Sequence, residues 1–244
     1  MIRLFSIFVF LLAISCSEIV NGQIITFQET ALFNRHHTGY SVLTDTTGGR
    51  TQFLMAGTLV EPGQADSLDV HVVYTDDIGT ILWQKIYDTG ENERCLNVEH
   101  DSTGFVMTGY VDTMGTNHQV FVLRIDGLGN VIDQKRFESP FTGHTQGLSI
   151  KHTQDDGYVL TGFIADGYAT SDSKRAFVMK LDPSLNPSWS RYINTPWAFN
   201  RDYDMGESIV EIPGQGYFVS GSMNMPRHQF ASPVPNFTEL TNSY

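Results

Sequence analysis

Cysteine is nearly absent from this chain, with two in 244 residues. Cys16 falls in the opening segment, so Cys95 is the one cysteine expected in a processed chain. An intramolecular disulfide is then excluded, and stability must come from packing. Helical periodicity is missing as well: no stretch sustains apolar residues at a 3.6 period, so helix should be scarce. Basic residues are few, 15 Lys and Arg against 27 Asp and Glu, for a formal charge of −12. Without any basic run, that balance argues against nucleic acid and anionic membranes as partners. No Gly-x-Ser-x-Gly elbow and no phosphate-cradling glycine loop occurs.

Long apolar runs are confined to the first residues, "MIRLFSIFVFLLAISCSEIVNGQ". One basic residue, an apolar core from Leu4 to Ile14 and a more polar end follow the plan of a secretory signal, too short for a typical membrane span. Val20 and Gly22 supply small residues for cleavage after Gly22, making residues 1–22 the signal and Gln23 the new N-terminus. A rival cut lies just before Cys16, where "LAISC" loosely resembles a lipoprotein box; Ser15 fits that pattern, and Ala13 and Ile14 depart from it. Either cut sends the chain out of the cytoplasm, secreted or to the cell surface. No other segment could span a bilayer.

What the sequence does have is a repeated phrase. "GGRTQFLMAGTLVE", "DSTGFVMTGYVDT", "DDGYVLTGFIADG" and "GQGYFVSGSMN" each lead from a Gly- or Asp-rich turn into a short apolar strand ending in a small residue and Gly. Those glycines are Gly57, Gly109, Gly162 and Gly221, spaced by 52, 53 and 59 residues. Asp76, Asp126 and Asp182 close the strands "HVVYTD", "FVLRID" and "FVMKLD", and seven residues after each comes Trp83, Asp133 or Trp189. A further strand precedes each phrase: "GYSVLTD", "CLNVEHD", "GLSIKHT" and "GESIVEI".

Alternation and β-branched or aromatic residues mark the strands; Gly, Asp and Asn mark the turns. The unit is therefore about 50 residues of four short strands. Repeats of that kind predict an all-β chain of β-propeller blades, each needing its neighbours to bury both faces. The blades are expected at about 38–88, 94–138 and 146–194, with a partial fourth at 205–223. The "GLSIKHT" class, rich in small residues, is expected innermost, and the class with Trp83 and Trp189 outermost. Residues 24–33, "IITFQETALF", read as an outer-type strand that closes the last blade. After residue 223 the pattern stops, and 224–244, with three prolines, read as an irregular or truncated tail. Three full blades and a partial fourth predict a piece of a longer propeller, with a four-bladed ring or completion by self-association as the other ways to close.

The pattern resembles secreted, Bacteroidetes-type bacterial propeller-like repeat proteins, best in the third repeat through "LSIKHTQDDGYVLTG", "FVMKLD" and "PSWSRY". That resemblance implies the fold and export, and carries no catalytic residues with it. "DDIGTILW" is also similar to the tryptophan-docking turn of quinoprotein propellers. The second repeat loses the Trp, at Asp133, and the third is read as losing the Gly, with Asn186 in its place. The similarity implies packing between blades; a quinone would also need a metal site and ring contacts that are not found.

Single residues add little chemistry. The Asp-Gly turns offer one or two carboxylates each, without the spacing of a calcium loop. His36 and His37 are adjacent and point opposite ways on an extended strand. His100 and His152 recur at equivalent positions, which argues for a structural role, and Cys95, aligned near Leu148, reads as a buried, inert thiol. No catalytic residue, metal or cofactor is assigned, although Glu99, Lys151 and Glu211 on the inner strands leave catalysis open. The loops 88–94, 138–144 and 194–204, with 112–119 and 166–175, are expected on one rim. There Arg94, His144, Trp197, Phe199, Arg201 and Tyr203 could form a platform for a sugar or peptide, with flat apolar faces edged by donors. Packing of Trp197 and Phe199 over the next blade is the competing reading. The sequence thus favours an exported, non-catalytic propeller scaffold that binds extracellular glycan or protein. A propeller enzyme (glycosidase, lyase or quinoprotein-like oxidoreductase) and a fragment without its own function are the alternatives.

Overall fold

A computed structural model describes residues 36–60, 68–113, 117–138, 143–166, 174–193 and 204–222. Every regular element among them is a β-strand and none is a helix, as the lack of a 3.6 period requires. The first sheet contains β1 (His36–Asp45), β2 (Gln52–Val60), β3 (Leu68–Thr75) and β4 (Ile81–Tyr87). The second contains β5 (Asn92–Asp101), β6 (Gly104–Thr113), β7 (Asn117–Asp126) and β8 (Val131–Phe137). The third contains β9 (Gly143–His152), β10 (Tyr158–Asp166), β11 (Lys174–Leu181) and β12 (Pro187–Ile193), and the fourth pairs β13 (Met205–Ile212) with β14 (Gly216–Ser222). Each sheet is an antiparallel meander in chain order. The all-β reading in four-stranded units therefore holds for the first three sheets. The expected signal segment 1–22, the expected closing strand 24–33 and the tail 224–244 lie outside the described residues.

The turns that join the third and fourth strands of each unit are built by their aspartates. Asp76 Oδ1 accepts the backbone N–H of Ile78 and Thr80, Asp126 Oδ1 those of Leu128 and Asn130, and Asp182 Oδ1 those of Ser184 and Asn186. A short carboxylate acceptor at the first turn position thus satisfies amides that no strand partner reaches. The same turns need a left-handed residue three positions on, filled by Gly79 (φ 87°), Gly129 (φ 76°) and Leu185 (φ 59°). This corrects the sequence alignment by one residue: Leu185, not Asn186, replaces the turn glycine. Asn186 matches Asn130, and each donates its side-chain amide to the other oxygen of its aspartate at 2.9 Å.

A second recurring device sits where the first strand of each unit bulges, between Gly39 and Ser41, Cys95 and Asn97, and Gly206 and Ser208, with the matching irregularity opposite Thr161 and Gly162. The bulge drives a carbonyl against the neighbouring strand. A Cβ on Gly57, Gly109, Gly162 or Gly221 would overlap the carbonyl oxygen of Thr38, Arg94, Gln146 or Met205. Glycine at these places makes room for a close backbone approach. The bulge also aligns Cys95 with Gly147, one position from the Leu148 expected from sequence.

The sheets stack face to face in chain order, and the first strand of each carries the stacking. Strand β5 packs on β1, β2 and β3; β9 on β5, β6 and β7; β13 on β9, β10 and β11. The first junction buries Leu54, Val72, Phe105 and Met107. The second buries Val106, Ile150, Tyr158 and Leu160, and the third Val159, Val178 and Ile209. A backbone bond crosses each junction: Val98 N–H donates to Ser41 Oγ (3.2 Å), Ile150 N–H to Asn97 Oδ1 (2.9 Å) and Ile209 N–H to Ser149 Oγ (3.4 Å). The small residues of this strand class follow from that proximity, since a Cβ on Gly147 or Gly206 would overlap Thr108 Oγ1 or Thr161 Oγ1 of the sheet before.

At the opposite edge, β4 and β8 hold the next sheet by its aspartate turn. Trp83 Nε1 donates to Gly127 O (3.2 Å), Tyr87 Oη to Gly129 O (2.8 Å) and Lys85 Nζ to Asn130 Oδ1 (2.7 Å). Lys135 Nζ repeats the last contact with Asn186 Oδ1 (2.6 Å). Trp83 also stacks on Tyr74, with ring centroids 5.2 Å apart, and Trp189 packs against Tyr217 of the fourth sheet at 5.7 Å.

Candidate functional site

Strand pairing places several strand ends at one end of the stack. Asn92 pairs with Asp112, Thr113 with Asn117, and Val120 with Phe137, so the start of β5, the link from β6 to β7 and the end of β8 share a rim. Gly143, paired with Asp166, brings the start of β9 to the same end. Of the six rim residues named from sequence, Arg94 and His144 are described; Trp197, Phe199, Arg201 and Tyr203 lie outside the described residues.

Arg94 and His144 belong to one row of side chains. The Arg94 guanidinium carbon lies 5.9 Å from the centre of the Tyr110 ring. Tyr110 stacks on His118 with centroids 4.4 Å apart, and His118 meets the edge of His144 at 4.2 Å. Four strands contribute: β5 gives Arg94, β6 Tyr110, β7 His118 and β9 His144, so the row ties the second sheet to the third. The backbone N–H of His118 donates to His144 Nδ1 (3.2 Å), and Gln146 Nε2 lies 2.9 Å from His118 Nδ1. Asp112 stands 3.9 Å from His118 Nε2. Burial pushes His118 down to about 4, helped by the neighbouring His144 and Arg94 and opposed by Asp112; burial also lowers His144. Both rings are therefore neutral at neutral pH. His144 is buried, and its Nε2 has no hydrogen-bond partner among the described residues. It forms part of the wall of the rim among the described residues. Arg94 remains half-buried and, with Asp112, offers the row's polar edge.

One junction away, Asp69, Asp88 and Glu93 converge, with one carboxylate oxygen of each within 4.8 Å of the others. Among the described residues this is the grouping that could hold a cation, and the sequence-based reading assigned none. Asp69 precedes the core of β3, Asp88 follows β4 and Glu93 opens β5, and stacking of the first two sheets brings them together. Glu93 is 2% exposed. Burial, with Asp69, Asp88 and Glu91 nearby, pushes its carboxyl up to about 8 against the opposing pull of Arg136. One oxygen already accepts from Thr89 Oγ1 and faces Arg136 at 3.7 Å. Glu93, Arg136 and Thr89 line a cavity of about 130 Å³ with Val70, Tyr87 and Phe121. Ligand pockets usually span about 300–1,000 Å³, so this one has room for waters or a small ion, not a sugar ring.

Several charged residues of the first strands are engaged with one another or with backbone. Lys151 Nζ pairs with Glu99, across the second junction, and Glu211 accepts the Gln154 N–H (2.9 Å). His100 Nε2 lies 2.9 Å from Thr44 O and His152 Nε2 4.0 Å from Asp101, both between sheets. Cys95 is fully buried, and burial pushes its thiol up to about 12, so it supplies no thiolate nucleophile at neutral pH.

Comparison with protein-family models and with curated proteins finds no match for this chain.

Proposed function

We propose that this chain is an exported, non-catalytic β-propeller-type repeat scaffold whose rim binds an extracellular glycan or protein. The observation that carries this reading is the rim itself: strand ends of the second and third sheets meet at one end, on a wall locked by the Arg94–Tyr110–His118–His144 row. A rigid frame with variable links is the arrangement in which recognition needs loop variation alone. The engagement of Glu99, Lys151 and Glu211 supports binding over catalysis. Face-to-face stacking of four-stranded meanders supports the propeller assignment, and the apolar opening segment supports export.

The test is a glycan-array and polysaccharide pull-down screen on the chain from Gln23, beside a variant with Trp197, Phe199, Arg201 and Tyr203 changed to Ala. Binding by the first and its loss in the second, at unchanged melting temperature, is the expected result. Release of reducing ends from any polysaccharide in the panel would overturn the non-catalytic reading.

A further inference from the structure

Each junction between sheets has two complementary halves; the first sheet leaves one half uncovered, and the two described strands of the fourth sheet leave the matching part of the other. Aligned on the bulges, Ser41, Asn97, Ser149 and Ser208 are equivalent, as are Val42, Val98, Ile150 and Ile209. Within the chain, Ser41, Asn97 and Ser149 each accept the backbone N–H of the next sheet's Val98, Ile150 or Ile209. Ser208 is exposed, with no sheet after it among the described residues, and Val42 has none before it.

The side chains repeat this pattern. Val98, Ile150 and Ile209 are at most 3% exposed, whereas Val42 is 66% exposed. Met107 and Leu160, buried against the preceding sheet, correspond to Met55, which pairs with Val42 and is 39% exposed. At the other end, Leu54, Val106 and Val159 are buried under the following sheet at 0% exposure, and their equivalent, Phe218, is 50% exposed beside its pair, Val210. Gly147 and Gly206 press on threonines of the preceding sheet, while a Cβ on their equivalent, Gly39, would meet nothing within 4 Å. Apolar residues that are core at every internal junction thus stand in solvent at the two ends, which globular chains seldom leave uncovered.

We infer that a second copy of this chain stacks its first sheet on the fourth sheet, repeating the part of the internal junction made by the first two strands of each sheet. Val42 N–H of one copy donates to Ser208 Oγ of the partner subunit, and Val42 and Met55 cover Phe218 of the partner subunit. The occupant is a second copy because one chain carries both halves of the same interface, continuous with the three junctions already formed. Such a head-to-tail contact closes a ring when its rotation permits. The inference rests on the propeller-type reading of the stack and adds the partner.

The experiment is sedimentation velocity with light scattering on the chain from Gln23, on Val42→Asp, on Phe218→Glu, and on an equimolar mixture of the two variants. The wild type should have twice the monomer mass or a multiple of it, and each variant should run as a monomer with an unchanged melting temperature. Mixing should restore a one-to-one pair, since Val42→Asp keeps an intact fourth sheet and Phe218→Glu an intact first sheet. A monomeric wild type, or variants that associate as the wild type does, would overturn the inference. So would loss of association in only one variant, because that marks a contact of like faces. A monomer that still binds a glycan at its rim would sink the second copy and leave the scaffold reading in place.

Discussion

Trp83 lies over Gly129: a Cβ built on that glycine would come within 3.0 Å of the indole ring. The contact fastens the edge of the first sheet to the aspartate turn of the second. One sheet on, both partners change together, with Asp133 at the Trp position and Leu185 at the Gly position. Leu185 is fully buried and packs with Phe137, the counterpart of Tyr87. Bulk supplied by the strand at one junction is supplied by the turn at the next, and the left-handed backbone of Leu185 is tolerated because that side chain fills the gap.

Gly129→Leu should therefore be strongly destabilising alone and much less so with Trp83→Asp. Urea unfolding of the two single variants and the double should show coupling of about 1–3 kcal/mol in favour of the pair, the range for residues in direct contact. Additive losses would mean the turn and the ring do not share space.

Gly162→Ala should cost about 3 kcal/mol or more, at the severe end for single substitutions. Its methyl group would overlap Gln146 O, a backbone atom fixed by the bulge rather than a side chain able to swing away. Thermal melting reads this directly, and an unchanged midpoint would show that the bulge relaxes.

Asp101 joins three strands beneath the second junction. Arg124 donates to its Oδ2 from Nε (3.0 Å) and from a terminal nitrogen (2.9 Å), and Tyr158 donates to its Oδ1 (2.8 Å). The Arg124 and Tyr158 hydrogen bonds outweigh burial and hold its carboxyl below the usual carboxylate range. Asp101→Ala leaves Arg124 without its carboxylate, with only the Pro183 carbonyl (3.1 Å) still accepting from it, and should cost about 3–5 kcal/mol, as when one partner of a buried pair is removed. Changing Arg124 to Met in the same chain should recover part of that loss in chemical denaturation.

The histidine row sets an acid limit. His118 is neutral in the fold down to about pH 4, while in the unfolded chain it takes up a proton near its ordinary value of 6.5. Its contribution is fully present above about 6.5 and is lost as pH falls toward 4, because the unfolded state then binds more protons. His144, Gln146, Arg94, Tyr110 and Asp112 face it, and only Asp112 favours the charged ring. Glu93, pushed up to about 8, acts in the opposite sense across pH 7.5 to 4.5, so the histidine contribution reads as a difference: on lowering the pH the melting temperature should fall less, or rise more, in His118→Phe than in the wild type. Asp155, held at about 2 mainly by Lys180 and Thr153 against burial, loses its contribution only below about 3.8, so the two windows separate.

Strand content, the four-stranded unit and the aspartate turns were legible in the sequence because each is written locally. Alternation marks a strand, a carboxylate followed by a left-handed residue marks a turn, and a recurring glycine marks a close approach. Leu185 is not legible as the turn residue from sequence, because a left-handed position favours glycine and only burial lets a leucine hold it. Relations between sheets were not legible. Arg94 and His144 were named from separate loops, and Tyr110 and His118, which connect them, look like ordinary strand residues until β5, β6, β7 and β9 come together. Glu93 meets Asp69 only through stacking of the first two sheets. Val42 and Phe218 are apolar strand residues like their buried equivalents, and nothing local distinguishes them. The repeat wrote one interface four times; tertiary structure alone decided which copies are covered, because burial depends on what packs above a face and not on the residues within it.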